Sequence, residues 1–332
     1  MTLDNFNFNE ENINTGKTGK KGPLSNLSPL FFIFISLALV FFLYQIVGGA
    51  MTYMLLGEDL QTMNDNLNLT RIIMSFAQFM FILIPTVLLV LLQDHNLKET
   101  FRLRMPGIPV LILSVIGIIV IQPFLQVYLY YQNEFIFSLP FGQEILNQLK
   151  ELFDTLESTT EKLVVAKSVP EFLLILFAIA VTPAVCEEFL FRGLVFKNFE
   201  KIIPASKAVF FSGLLFALFH FHPFNLIPLA ILGIFLSFTV YHSGSIYTAV
   251  ICHFINNFVS ATAVYIYGAE TLDSDKLNPD ELMQYLILGI FSVAVFITVI
   301  ILIKKYSVMK SDNDKTGKTN YTTIISTDKS NE

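Results

Sequence analysis

Ionisable and amide side chains gather at three places in the C-terminal half: Glu187, Glu188 and Arg192, then His220, then His253 with Asn256 and Asn257. Each group lies inside an apolar run. A charged side chain at the centre of a bilayer costs about 2.5–3.5 kcal/mol even on the most lenient scales, and by default it marks function. Glu188 and Arg192 are one helical turn apart, so they share a face and can pair. Glu187 lies about 100° round the same helix and has no such neighbour. His253 and Asn257 share a face in the same way, and Phe216 sits one turn before His220, where it can wall the same pocket.

A carboxylate and two imidazoles in a low dielectric suit hydrolysis. Burial raises a Glu pKa towards the range where it can take and return a proton. Glu187 and His220 can hold a water between them, while His253 and Asn257 can donate to a tetrahedral oxyanion. Glu187, His220 and His253 are also ligand types of a catalytic zinc site, so the cofactor reading stays open between none and a single divalent metal. Buried Glu and His residues also relay protons, which keeps a proton-coupled transporter in view.

The elements that must position these residues are membrane helices. Of 332 residues, 54% are hydrophobic and only 14% charged, against about a quarter charged in soluble domains. Eight apolar runs approach the length needed to cross a bilayer: about Leu30 to Val47, Ile72 to Leu92, Ile108 to Leu129, Phe172 to Phe199, Ala208 to Phe221, Leu226 to Tyr241, Ile246 to Tyr267 and Tyr285 to Ile303. The fold class expected is an all-α polytopic membrane helix bundle of about eight transmembrane helices. Runs four and five form a hairpin turning near Ile203 and Pro204, and Glu187 and His220 both lie roughly 25 Å from that turn at 1.5 Å per residue. They are therefore expected at one depth. Spans one, two, three, six and eight read as free of interior charge.

Basic residues flank alternate loops. Lys17, Lys20 and Lys21 precede run one, Lys98, Arg102 and Arg104 follow run two, Lys197, Lys201 and Lys207 follow run four, and Lys304, Lys305 and Lys310 follow run eight. The intervening loops are acidic, with Glu58, Asp59 and Asp65, then Glu144, Glu151, Asp154 and Glu157, then Glu270, Asp273, Asp275 and Asp280. The positive-inside rule then puts both termini in the cytoplasm. Residues 1–25 and 310–332 are polar, without apolar periodicity, and read as disordered tails. Between runs three and four, Ile145, Leu149, Leu152 and Leu156 follow a helical period within residues 141–165, which reads either as an amphipathic helix lying on the outer surface or as a solvated helix packed on its neighbours. No basic block points to nucleic acid, so the partners expected are the bilayer and a membrane protein or peptide. The Lys-, Ile- and Asn-rich composition has a bacterial character, which points to a bacterial plasma membrane.

Pro183 is expected to kink the fourth helix beside the Glu pair and free backbone carbonyls there. Cys186 and Cys252 read as small apolar filler. His222, beside Pro223, reads as an interface residue at a loop edge.

At these motifs the chain resembles the CPBP family, which groups CAAX prenyl endopeptidases with bacteriocin-processing and immunity-type membrane proteins. The family's EExxxR, FxxxH and HxxxN patterns stand here as Glu187-Glu188-Phe-Leu-Phe-Arg192, Phe216-Ala-Leu-Phe-His220 and His253-Phe-Ile-Asn-Asn257. The resemblance runs from about Pro170 to Tyr267, and nothing in the first three runs carries it. It implies an intramembrane protease in which Glu187 and His220 activate water while His253 and Asn257 stabilise the oxyanion, supported by Glu188, Arg192 and Phe216. The family includes members described as metalloproteases and as metal-free glutamate proteases, and the single free carboxylate favours the second. It also includes non-catalytic immunity or scaffold proteins. The organisation expected is helices 1–3 with the amphipathic loop over 26–167, a catalytic core over 168–267, and a final helix over 268–309.

Overall fold

The computed structural model of the chain describes residues 22–56, 66–94, 96–268 and 282–316. The acidic clusters at 58–65 and 270–280, and the tails over 1–21 and 317–332, lie outside the described residues. What is described is helical, with no strand among the described residues.

Seven helices are long and apolar enough to cross a membrane: α1 Pro29–Leu56, α2 Leu67–Gln93, α3 Ile108–Phe137, α5 Val169–Phe199, α7 Leu226–Ser243, α8 Ile246–Tyr267 and Leu282–Ser307 within α9. Helix α4, Gln143–Val164, is the amphipathic connection, and α6 is the shorter apolar helix Ala205–Leu218. Helix α9 as a whole runs Leu282–Thr316. The eight expected spans are thus seven long ones and a 14-residue helix in fifth place. The chain turns after Leu218, with Phe221 in the left-handed region at φ 52°, so the apolar run outlasts the helix it feeds.

Two expectations about the ends need correction. Leu24 N–H donates to Leu92 O at 2.9 Å, so residues 22–25 lie against α2 rather than in a tail. The last helix carries on through 310–316, where polar sequence continues a helix already nucleated by the apolar run before it. Helix α2 also starts one turn earlier than the apolar run suggests, which brings Arg71 inside it, fully buried. That overturns the reading of span two as free of interior charge. Arg71 donates to Leu163 O at 2.9 Å and Val165 O at 2.8 Å, and pairs with Glu171 Oε1 at 2.7 Å. A cation there is tolerated because a carboxylate and the last carbonyls of α4 surround it. The same contacts clamp the end of α4 to α2 and α5.

Loops two, five and seven meet on one side of the bundle, as the charge alternation requires. Arg102 pairs with Glu200, Arg104 donates to Gly244 O, and Ile246 N–H donates to Arg102 O. On the opposite side, Phe153 of α4 packs on His222 and Phe224 in the α6–α7 turn, with ring centroids 4.8 and 5.8 Å apart.

Helices α6 and α7 cross at Gly213 and Gly233. A Cβ on Gly213 would lie 2.3 Å from Ile234 N, and one on Gly233 would lie 2.6 Å from Gly213 O. Small residues at a crossing let two backbones touch where hydrocarbon provides no other drive to associate. Around this crossing lies the main apolar core, with Phe32, Phe101, Phe191, Phe216, Phe235 and Cys252 among its buried members.

Candidate active site

Helix α5 carries the first motif in an unusual backbone. Its α-helical stretch Thr182–Glu188 lies between two π-helical stretches, Leu176–Val181 and Phe189–Val195. Wide turns of this kind collect at functional sites, because they rotate the following side chains and leave carbonyls to be used elsewhere. Pro183 adds to this: it has no N–H for the carbonyl four residues back, that of Ile179. Asn257 Nδ2 donates to that oxygen at 2.9 Å instead. The expected freeing of a carbonyl by Pro183 is thus present, and the third motif uses it.

Glu188 and Arg192 pair as their spacing requires, Nη1 to Oε1 at 2.8 Å, with both side chains fully buried. Arg192 also donates to Gly233 O at 2.8 Å, and its guanidinium lies 4.5 Å from the centroid of the Phe216 ring. The glycine crossing of α6 and α7 therefore supplies one of the oxygens that hold this buried cation. His253 Nδ1 joins the same carboxylate at 2.8 Å from Oε1. Glu188 is acceptor-only when ionised, so the imidazole donates through Nδ1–H and turns Nε2 outwards. This link between the first and third motifs is invisible at helical spacing, since the partners are 65 residues apart.

Glu187 faces the other way and meets the second motif. His220 Nε2 lies 3.9 Å from Glu187 Oε2, and among the described residues that oxygen makes no hydrogen bond. The Glu187 and His220 side chains retain 20% and 32% exposure, against none for Glu188 and Arg192, so of the two pairs this is the accessible one. His220 Nδ1 lies 2.7 Å from Phe216 O, and a carbonyl only accepts, so Nδ1 carries the proton and Nε2 presents a lone pair when neutral. Two acceptors 3.9 Å apart do not bond to each other. They match the two ends of a water that donates one O–H to each, which leaves its oxygen lone pairs available for attack.

The remaining predicted members fall around these two pairs. Phe216 stacks edge-on against His220 at 4.7 Å and His253 at 6.0 Å between centroids, walling both imidazoles. Asn257 accepts from Asn256 Nδ2 at 3.1 Å while it holds Ile179. Tyr44, on the π-helical stretch Phe42–Gly48 of α1, lies close enough to Glu187 to interact with it electrostatically. Nothing in the sequence singles out Tyr44, because a lone tyrosine in an apolar run carries no spacing signal. Cys186 and Cys252 are buried free thiols in the core. His222 stands apart, its ring against Phe153 and its Nδ1 accepting from Asn225 N–H at 3.2 Å. Burial holds its imidazole below the ordinary pKa.

Among the described residues no group of three His, Cys, Asp or Glu side chains is placed to hold a metal ion, and the Nδ1 atoms of His220 and His253 are engaged by Phe216 O and Glu188, which leaves Nε2 of each ring free.

Residues 169–259 match the family model described as Type II CAAX prenyl endopeptidase Rce1-like, a stretch that contains all three motifs. No curated protein and no solved structure matches the chain. With seven helices long and apolar enough to cross a bilayer among the described residues, the chain is an integral membrane protein, and its stretch 169–259 is similar to the Type II CAAX prenyl endopeptidases.

Proposed function

We propose that this protein hydrolyses a peptide bond of a membrane-associated protein or peptide, with a water held between Glu187 and His220 as nucleophile. The observation that carries the reading is the facing pair itself: a buried carboxylate oxygen without a hydrogen-bond partner among the described residues, 3.9 Å from an imidazole nitrogen whose other nitrogen is tied to Phe216 O. Glu187 takes the proton as the water oxygen attacks the carbonyl carbon, and returns it to the leaving amine. His220 orients the same water through Nε2. His253, fixed by Glu188, and Asn257, fixed on Ile179, line the oxyanion side. No step uses a metal.

The test is cleavage in proteoliposomes, with substrates found by comparing membrane peptides from cells carrying the wild type or Glu187→Gln. Glu187→Gln keeps the shape and removes the base, so the rate falls by about 10²–10⁴. Full cleavage by a folded Glu187→Gln protein would sink the proposal. Full biological activity without any cleavage would assign the chain to the immunity or scaffold members instead.

A further inference from the structure

A cavity of about 390 Å³ opens between α3, α8 and α9. Its rim residues Ile119, Val259 and Leu288 are exposed on membrane-spanning helices, so the mouth gives onto lipid rather than onto either aqueous face. Inside it stand Gln122, Gln126, Asn256, Ser260 and Tyr285, with no charged side chain among the lining residues.

Most of these polar groups are used. Gln122 Nε2 donates to Asn256 Oδ1 at 2.7 Å, Asn256 Nδ2 donates to Asn257 Oδ1 at 3.1 Å, and Ser260 Oγ donates to Asn256 O at 3.2 Å. Gln126 is the exception: among the described residues its carboxamide makes no hydrogen bond. A carboxamide facing hydrocarbon without a partner costs a few kcal/mol, a cost that a hydrogen-bonding ligand removes.

We infer that this cavity binds the acyl-ester end of a membrane lipid, with the ester carbonyl accepting from Gln126 and the acyl chain against Ile118, Ile119 and Leu288. Three features select that chemistry. The absence of charge in the lining disfavours an ionised ligand, the apolar walls require a hydrocarbon part, and the lipid-facing mouth admits what the bilayer already holds. The site is separate from the Glu187–His220 pair, yet Gln122, Asn256 and Asn257 form a continuous hydrogen-bonded chain from its wall to the third motif. A lipid seated here rests against the residue that ties α8 to Ile179.

The test reads binding directly. The full chain in nanodiscs is labelled with diacylglycerol carrying a diazirine in one acyl chain, and the labelled peptides are mapped. Saturable labelling around 118–127, 256–260 and 285–288 is expected, displaced by unlabelled diacylglycerol and not by hexadecane. Gln126→Leu suits the bilayer and leaves the fold intact, and it should weaken labelling about fivefold to tenfold, the worth of one net hydrogen bond. Ser260→Phe fills the cavity and should abolish the signal. Non-saturable labelling that neither variant changes overturns the inference. So does displacement by a hydrophobic transmembrane peptide but not by diacylglycerol, which would assign the cavity to a protein segment. Neither outcome depends on hydrolysis at Glu187.

Discussion

Glu188 Oε1 is shared: Arg192 Nη1 and His253 Nδ1 each lie 2.8 Å from that single oxygen. One carboxylate therefore neutralises the buried cation of its own helix and aims the imidazole of a helix elsewhere in the chain. The two adjacent glutamates divide the labour by facing, with Glu187 open to a reactant and Glu188 sealed.

Glu188→Gln removes the charge but keeps the size. Arg192 is then a buried cation with only Gly233 O and the Phe216 ring to hold it, and breaking a buried pair in this way costs about 3–5 kcal/mol. Thermal unfolding in detergent should show a large drop in midpoint for Glu188→Gln and none for Glu187→Gln. Equal midpoints for the two variants would contradict the division of roles.

The α6–α7 crossing is equally specific. An added methyl at Gly213 meets backbone of α7 rather than a side chain that can swing away. Gly213→Ala should therefore destabilise by about 1–3 kcal/mol, the range for overpacking. Alanine at Gly49, whose Cβ meets nothing within 4 Å, is the control and should leave the unfolding midpoint in place.

Arg71→Met should release α4 without unfolding the spans. Methionine fills the space but leaves the carbonyls of Leu163 and Val165 and the Glu171 carboxylate without their donor. Tryptic cleavage after Lys150 and Lys162 should speed up, while protection of α7 and α8 against hydrogen exchange stays as in the wild type. Unchanged cleavage would show that other contacts hold α4.

The other contact of α4 should respond to pH. His222 has its pKa lowered by burial from an ordinary 6.5, and its Nδ1 accepts a backbone hydrogen bond that protonation removes. The folded contact binds the proton less well than the released loop. It is therefore intact above about pH 6.5 and loosens as pH falls below that value. The chain has no tryptophan, so Phe153→Trp is a single reporter at this contact. Its emission should shift to the red on acidification, and His222→Gln should abolish the shift.

Much of this is legible in the sequence, for a physical reason. Hydrocarbon penalises charge so heavily that Glu187, Glu188, Arg192, His220 and His253 announce themselves by residue type alone, and helical spacing then pairs Glu188 with Arg192. The seventh apolar run, Ile246 to Tyr267, coincides with α8 residue for residue. The facing of Glu187 and His220 followed from counting rise along a hairpin. The shared oxygen of Glu188 did not follow, since helical spacing says nothing about a helix 65 residues away. Arg71 was missed because hydropathy places a span's start at its first apolar residue, whereas the helix starts at Leu67. The use Asn257 makes of Ile179 O needs both the Pro183 gap and the packing of α8 on α5, and only the first is written in one stretch of sequence.

The brevity of α6 has a consequence for how a membrane enzyme obtains water. Fourteen residues rise about 21 Å, well short of a hydrocarbon core about 30 Å thick. A bilayer meeting so short a wall thins beside it, at a cost of fractions of a kcal/mol per ångström of mismatch. The aqueous boundary is drawn inward on the flank where the helix ends, and His220 stands just past that end. Glu187 and His220 then sit deep in the fold yet close to a reservoir, so a hydrolytic reaction there requires no water-filled tunnel through the protein.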